Sequence, residues 1–247
     1  MSLIAHVDTE KIGYEELKLL PAPPSTSTHQ VIPHHEVISS LVETLGFRHI
    51  GVHKMEFAVD KSGNKLFGLL ELDQMFTGAR FALGIRNSHD KTMRLAMTVG
   101  YRVFVCDNMA FHGDFTPVLA KHTKNFQLTR ALSAGIDDTQ RNFKPMVQAV
   151  ETWQQAQLSD ASAKLIIYRA FTEGDLEAPR HLDRVVHDHY FSPKHEEFQP
   201  RTIWSLSNAF TSAFKELDPV PQFKATGKLA GFLAPFHKEV VVNNNNN

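Results

Sequence analysis

At 247 residues, with 42% hydrophobic and 21% charged residues, the chain has the composition of a globular protein with a sizeable core, which excludes disorder throughout. A formal net charge of −1 argues against a nonspecific polycation. The single cysteine, Cys106, excludes an internal disulfide and fits a reducing compartment, the cytosol.

The opening MSLIAHVDTEK shows no basic leader followed by an apolar stretch, and nowhere do eighteen apolar residues run together, so neither a secretory signal nor a membrane span is expected. Residues 1–30 are weakly patterned. Pro21, Pro23 and Pro24 followed by a Ser-Thr run read as a flexible connector. A single domain is expected over 31–238. Pro33 opens an amphipathic helix carrying Val37, Ile38, Leu41, Val42 and Leu45 at helical spacing, and Gly46 stops it. His53, Met55, Phe57 and Val59 alternate with polar residues, Lys61–Asn64 turns the chain, and Leu66–Leu72 returns as a strand.

A second hairpin follows. Phe81, Leu83 and Ile85 alternate with Ala82, Gly84 and Arg86, and Met93 to Val105 places its bulky residues at odd positions, a period of two that no helix produces. Between the strands, Asn87-Ser88-His89-Asp90 supplies side chains that hydrogen-bond their own backbone and favour turns. One face of this hairpin is large and apolar. The other carries Ala82, Gly84, Ala96, Thr98 and Gly100, with Arg86, Arg94 and Arg102 among them. Small side chains let another backbone approach. Either a helix of this chain lies there with the arginines snorkelling to its edges, or the face receives a phosphate backbone or an acidic ligand.

Beyond Asp114 the pattern becomes helical. Phe143, Met146, Val147, Val150 and Trp153 form a buried stripe, with Pro145 kinking the helix or starting it. Ser159 caps the next helix, Arg180–Tyr190 makes another, Pro200 precedes one through Trp204 and Phe214, and Pro221–Phe236 makes the last. Residues 239–247 end in an asparagine run and read as a disordered tail. Strands first and helices afterwards give an α+β fold: an antiparallel sheet of four to five strands over about 52–114, flanked by one N-terminal helix and covered by four to five C-terminal helices.

Four ordered stretches carry a resemblance: Asn87-Ser88-His89-Asp90; Gly100 through Val105-Cys106-Asp107-Asn108; His122-Thr123; and Thr202-Ile203-Trp204-Ser205-Leu206-Ser207-Asn208-Ala209-Phe210-Thr211. Over about 35–235 the chain resembles the phage/plasmid-like family catalogued as domain of unknown function 932. Its members usually show an NSHDGS-like turn, a strand ending in VCSNG, an RHT-like triplet and a TxW…NA(F/V)T segment. This chain has Lys91 where glycine is common, Asp107 for serine and Met109 for glycine. The resemblance implies a mobile-element context and no established reaction.

Candidate chemistry can be read at several places. Between Arg80 and Lys144 ten Lys/Arg face five Asp/Glu. With Lys121 and Lys124 beside His122, this makes Arg86, Arg94, Arg102, Lys121 and Lys124 candidate contacts for single- or double-stranded DNA. Asn87, Ser88 and Asn108 would shape the rim. His89, Asp90 and His122 are candidate catalytic groups, and Cys106 with His112 or His122 a candidate thiol nucleophile. Asp183 and His187, four apart on one helix face, are candidate metal ligands, although no HExxH or CxxC pattern completes a set. No phosphate loop, GxGxxG or GxSxG occurs, and no cofactor is expected. The leading expectation is a non-enzymatic DNA-binding protein serving a mobile element. A metal-dependent or hydrolytic enzyme, and an inhibitor of a host protein, are the alternatives.

Overall fold

In the computed structural model, residues 9–104, 109–111, 116–174, 176 and 178–245 are described. Among them the period-two segments are strands and the later apolar stripes are helices, an α+β fold as expected. The chain divides into two compact units: Met1–Arg102 with Phe115–Phe143, and Val103–Asp114 with Lys144–Asn247. Cys106, Asn108 and His112 lie outside the described residues.

The first unit holds six strands: β1 (Thr9–Ile12), β2 (Val52–Asp60), β3 (Lys65–Phe76), β4 (Ala79–Ser88), β5 (Leu95–Val103, whose last residue belongs to the second unit) and β7 (Val118–Ala120). They lie in the order β1-β2-β3-β4-β5, with β7 also paired to β5. The count exceeds expectation because both ends of the sheet were missed. Residues 9–19, within the first thirty residues read as weakly patterned, form β1 and the helix α1 (Tyr14–Leu19). β1 pairs antiparallel with β2, Leu17 is fully buried, and the Tyr14 ring lies 6.3 Å from that of Phe57. At the other end, three residues of β7 are too few to show a period.

α2 (His34–Gly46) occupies the span its stripe implied, with Val37, Ile38, Leu41 and Leu45 buried. β5 begins at Leu95 rather than Met93, because Ser88 holds Met93 in the preceding turn: its hydroxyl donates to the Met93 carbonyl and accepts from the Met93 N–H. α3 (Leu128–Gln155) starts far earlier than the stripe around Pro145 suggested, and the helix continues through that proline. Its first half carries Leu132 and Ile136 buried, and the Phe143 ring stacks on Phe81 of β4 at 4.1 Å. Gly135 is required by close approach: a β-carbon there would sit 2.4 Å from Val118 Cγ2 and 3.1 Å from Met97 Cε.

Both faces of the β4–β5 hairpin are buried, and Ala82 and Thr98 on the small-residue face are 0% exposed. Register explains part of this. Glu71 lies opposite Ala82, so its carboxylate enters the small-residue face, where it pairs with the Arg102 guanidinium.

The second unit contains β6 (Met109–Phe111), the remainder of α3, α4 (Asp160–Tyr168), α5 (Leu182–Phe191), α6 (Ile203–Ala213) and α7 (Pro219–Asn245). Ser159 caps α4 as read from sequence, accepting from the Ser162 N–H at 3.1 Å. α7 extends to Asn245, through most of the stretch expected to be a disordered tail.

Candidate functional site

The site is built from three segments of the first unit. The turn after β4, the loop after β7 and the stretch before α2 are far apart in sequence, and hydrogen bonds draw them together. The pairing Leu95↔Ala120 places Arg94 and Lys121, each one residue further on, at the same end of the β5–β7 ladder. His29 bridges to Thr123, and the Gln30 N–H donates to the His122 carbonyl at 3.1 Å.

Behind these segments lie four buried imidazoles, those of His29, His34, His89 and His122. His34 Nε2 donates to the Gly63 carbonyl (3.1 Å), which leaves Nδ1 to accept from Asn87 Nδ2 (2.9 Å). Asn87 Nδ2 also donates to the Ile32 carbonyl (3.0 Å), so this side chain ties the turn to the entry of α2. The rings of His34 and His89 stack at 3.8 Å, and those of His29 and His122 lie parallel at 5.6 Å. His29 Nε2 donates to the His89 carbonyl at 3.3 Å.

This packing keeps the imidazoles of His34, His89 and His122 neutral. Burial, reinforced by the neighbouring His89, pushes His34 down to about 3 against the opposing Gly63 carbonyl and Asp60. Burial likewise pushes His122 down to about 4, with His29 and His89 acting in the same sense. His89 is lowered too, chiefly by burial, against the pull of Asp90 and Asp60. Neither ring nitrogen of His89 or of His122 has a hydrogen-bond partner among the described residues.

In front of this stack is a cavity of about 350 Å³, lined by His29 and His122, by Lys91, Arg94 and Lys121, and by Thr28, Thr92 and Thr123 with Met93. Three cations line it, and among the described residues no carboxylate does. Asp90 is adjacent but engaged: its Oδ1 accepts from the Thr92 hydroxyl (2.5 Å) and N–H (3.0 Å). Desolvation opposes its ionisation, and the Thr92 bonds, with Lys65 and Ser88, outweigh it and hold its carboxyl below the usual range. Lys91 sits in the left-handed region at φ 66°, a conformation that favours glycine.

The structure thus brings together Arg94 and Lys121 from the DNA-contact set and His122 from the catalytic set. Lys124 is exposed just beyond the cavity lining. Arg86 and Arg102 are not on an open surface. Arg86 Nε is buried without a partner among the described residues and desolvation lowers its pKa, whereas the Arg102 side chain is 11% exposed and paired with Glu71. Asn87 and Ser88 hold the turn from buried positions. Among the described residues, His89, Asp90 and His122 form no hydrogen-bonded relay.

Asp183 and His187 line a separate cavity of about 340 Å³ in the second unit, alongside the cations Lys164 and Arg184. Asp183 accepts from the Arg184 N–H, and His187 Nδ1 faces Asp188 at 3.2 Å. Among the described residues no three His, Cys, Asp or Glu side chains are arranged to hold a metal ion. Sequence reading missed His29, His34 and Lys91. The signal available was the pair of motifs, Asn87–Asp90 and His122-Thr123, which here line or support one cavity.

A family model described as Domain of unknown function (DUF932) matches residues 25–228. The chain belongs to that family. For this DUF932 member, no curated protein and no solved structure matches. The matched span includes His29 and the rest of the cavity wall.

Proposed function

We propose that this DUF932 protein binds single-stranded DNA without chemistry of its own, in the mobile-element setting that its resemblance to phage/plasmid-like proteins implies. The observation that carries the reading is the cavity lined by Lys91, Arg94 and Lys121 with no carboxylate among its described lining residues. Like charges brought to one place repel, and a phosphate-bearing partner offsets that repulsion. Lys124, exposed three residues beyond Lys121, extends the basic edge along which a strand would run.

Fluorescence anisotropy with a labelled single-stranded oligonucleotide tests this. Three neutralised phosphates predict a slope of about −2 in log affinity against log salt, and Arg94→Ala should weaken binding and flatten the slope by about 0.7. A flat isotherm at low salt rejects the reading.

A further inference from the structure

The cavity has a floor as well as a basic rim. His122 lines it and is 5% exposed, yet neither imidazole nitrogen has a hydrogen-bond partner among the described residues. The ring lies parallel to those of His29 (5.6 Å) and Phe126 (6.2 Å), so stacking engages its faces and leaves its nitrogen-bearing edge unsatisfied. A buried polar group in that condition is destabilising, and such exceptions in native proteins call for a partner. A neutral imidazole offers one N–H, and the three cations around it select an anionic acceptor.

We infer that the cavity takes a phosphate monoester, the terminal phosphate of a nucleic-acid strand, with the His122 imidazole donating a hydrogen bond to it and Lys91, Arg94 and Lys121 balancing its charge. This rests on reading the cleft as a nucleic-acid interface and adds what the recess itself accepts. Charge and shape favour the monoester over an internal phosphodiester. A diester carries one charge and has a sugar on either side, so it lies along a surface. A monoester carries roughly −1.5 to −2 charges at neutral pH on three free oxygens, and a chain end can enter a recess. The volume of about 350 Å³ is at the small end of ligand cavities and leaves room for the sugar attached to that phosphate.

The test uses three oligonucleotides of one sequence, labelled at an internal base: hydroxyl at both ends, 5′-phosphate, and 3′-phosphate. At moderate salt, one phosphorylated probe should bind about tenfold more tightly than the hydroxyl-ended probe, the effect of one charge-assisted hydrogen bond. The probe that gains identifies the end recognised. His122→Leu should reduce the preference to less than about threefold. Lys121→Met, a change at an exposed residue, should also shrink it and serves if His122→Leu fails to fold. Equal binding of all three probes overturns the inference and leaves the interface reading standing. Binding of none overturns both, and a preference that survives His122→Leu or Lys121→Met overturns the assignment of those residues.

Discussion

α6 and the histidine-walled cavity both keep polar side chains out of solvent, and they treat them in opposite ways. In α6 the segment Thr202–Thr211 satisfies its polar groups locally. Thr202 accepts from the Ser205 N–H (3.1 Å), Asn208 Nδ2 donates to the Trp204 carbonyl (3.0 Å), and the Thr211 hydroxyl donates to the Ser207 carbonyl (3.1 Å). Around the cavity, His89 and His122 keep both ring nitrogens unpaired among the described residues, and Lys91 holds a backbone conformation that suits glycine. Two stretches that carry the same family resemblance therefore do different work. One is a way of packing a helix, and the other stores unmet bonding capacity next to a basic opening.

Acid should separate them most strongly. A histidine held neutral in the folded state, with its pKa below that of the unfolded chain, leaves stability intact above pH 6.5. Below that, the unfolded chain takes up a proton that the folded one refuses, and stability falls until the folded pKa is reached. For His34, at about 3, and His122, at about 4, the window runs from pH 6.5 downward. Urea unfolding at pH 6.5 and 4.5 should show a loss of about 2 kcal/mol from His34 alone. A stability unchanged between these two pH values would remove the distinction between the regions.

A smaller contrast comes from substituting one buried polar residue in each. Asn208→Ala deletes a buried, hydrogen-bonded side chain and should cost about 2 kcal/mol near neutral pH. His122→Leu removes an unsatisfied group and should change stability by less than about 1 kcal/mol, or raise it. Equal costs in chemical denaturation would place both residues in the same structural role.

The smallest effect is expected at Lys91. Lys91→Gly relieves the left-handed backbone and should stabilise the protein by about 1 kcal/mol in thermal unfolding. It also removes one of three cations, so affinity for an oligonucleotide should fall severalfold. A variant that loses stability would show that the lysine side chain, not its backbone, is what the turn requires.

Much of the fold was legible because sheet periodicity is local. The alternation in Phe81–Ile85 and after Leu95, the turn chemistry of Asn87–Asp90 and the Ser159 cap all depend on near neighbours. What stayed open or was missed depended largely on pairing at a distance. That the arginine-bearing face is closed follows from the register Glu71↔Ala82, which aims a carboxylate at Arg102 from a strand whose alignment no local pattern fixes. The start of α3 was missed although Leu132 and Ile136 stand four apart, because the stripe around Trp153 drew the boundary towards Pro145. The cavity was half visible: Arg94, Lys121 and His122 were candidates, but His29 fell in the weakly patterned first thirty residues and the supporting His34 at a helix entry that drew no functional reading.

Gly135 carries a consequence for the cavity from across the core. Any side chain at that position of α3 would press on Val118, and Val118 belongs to the short strand that ends one residue before Lys121 and His122. The spacing of Lys121 and His122 is thus held by a hydrogen atom on a helix that never lines the opening. An alanine there, harmless by helix preference alone, would act as a wedge, so recognition could be lost at a site no ligand touches.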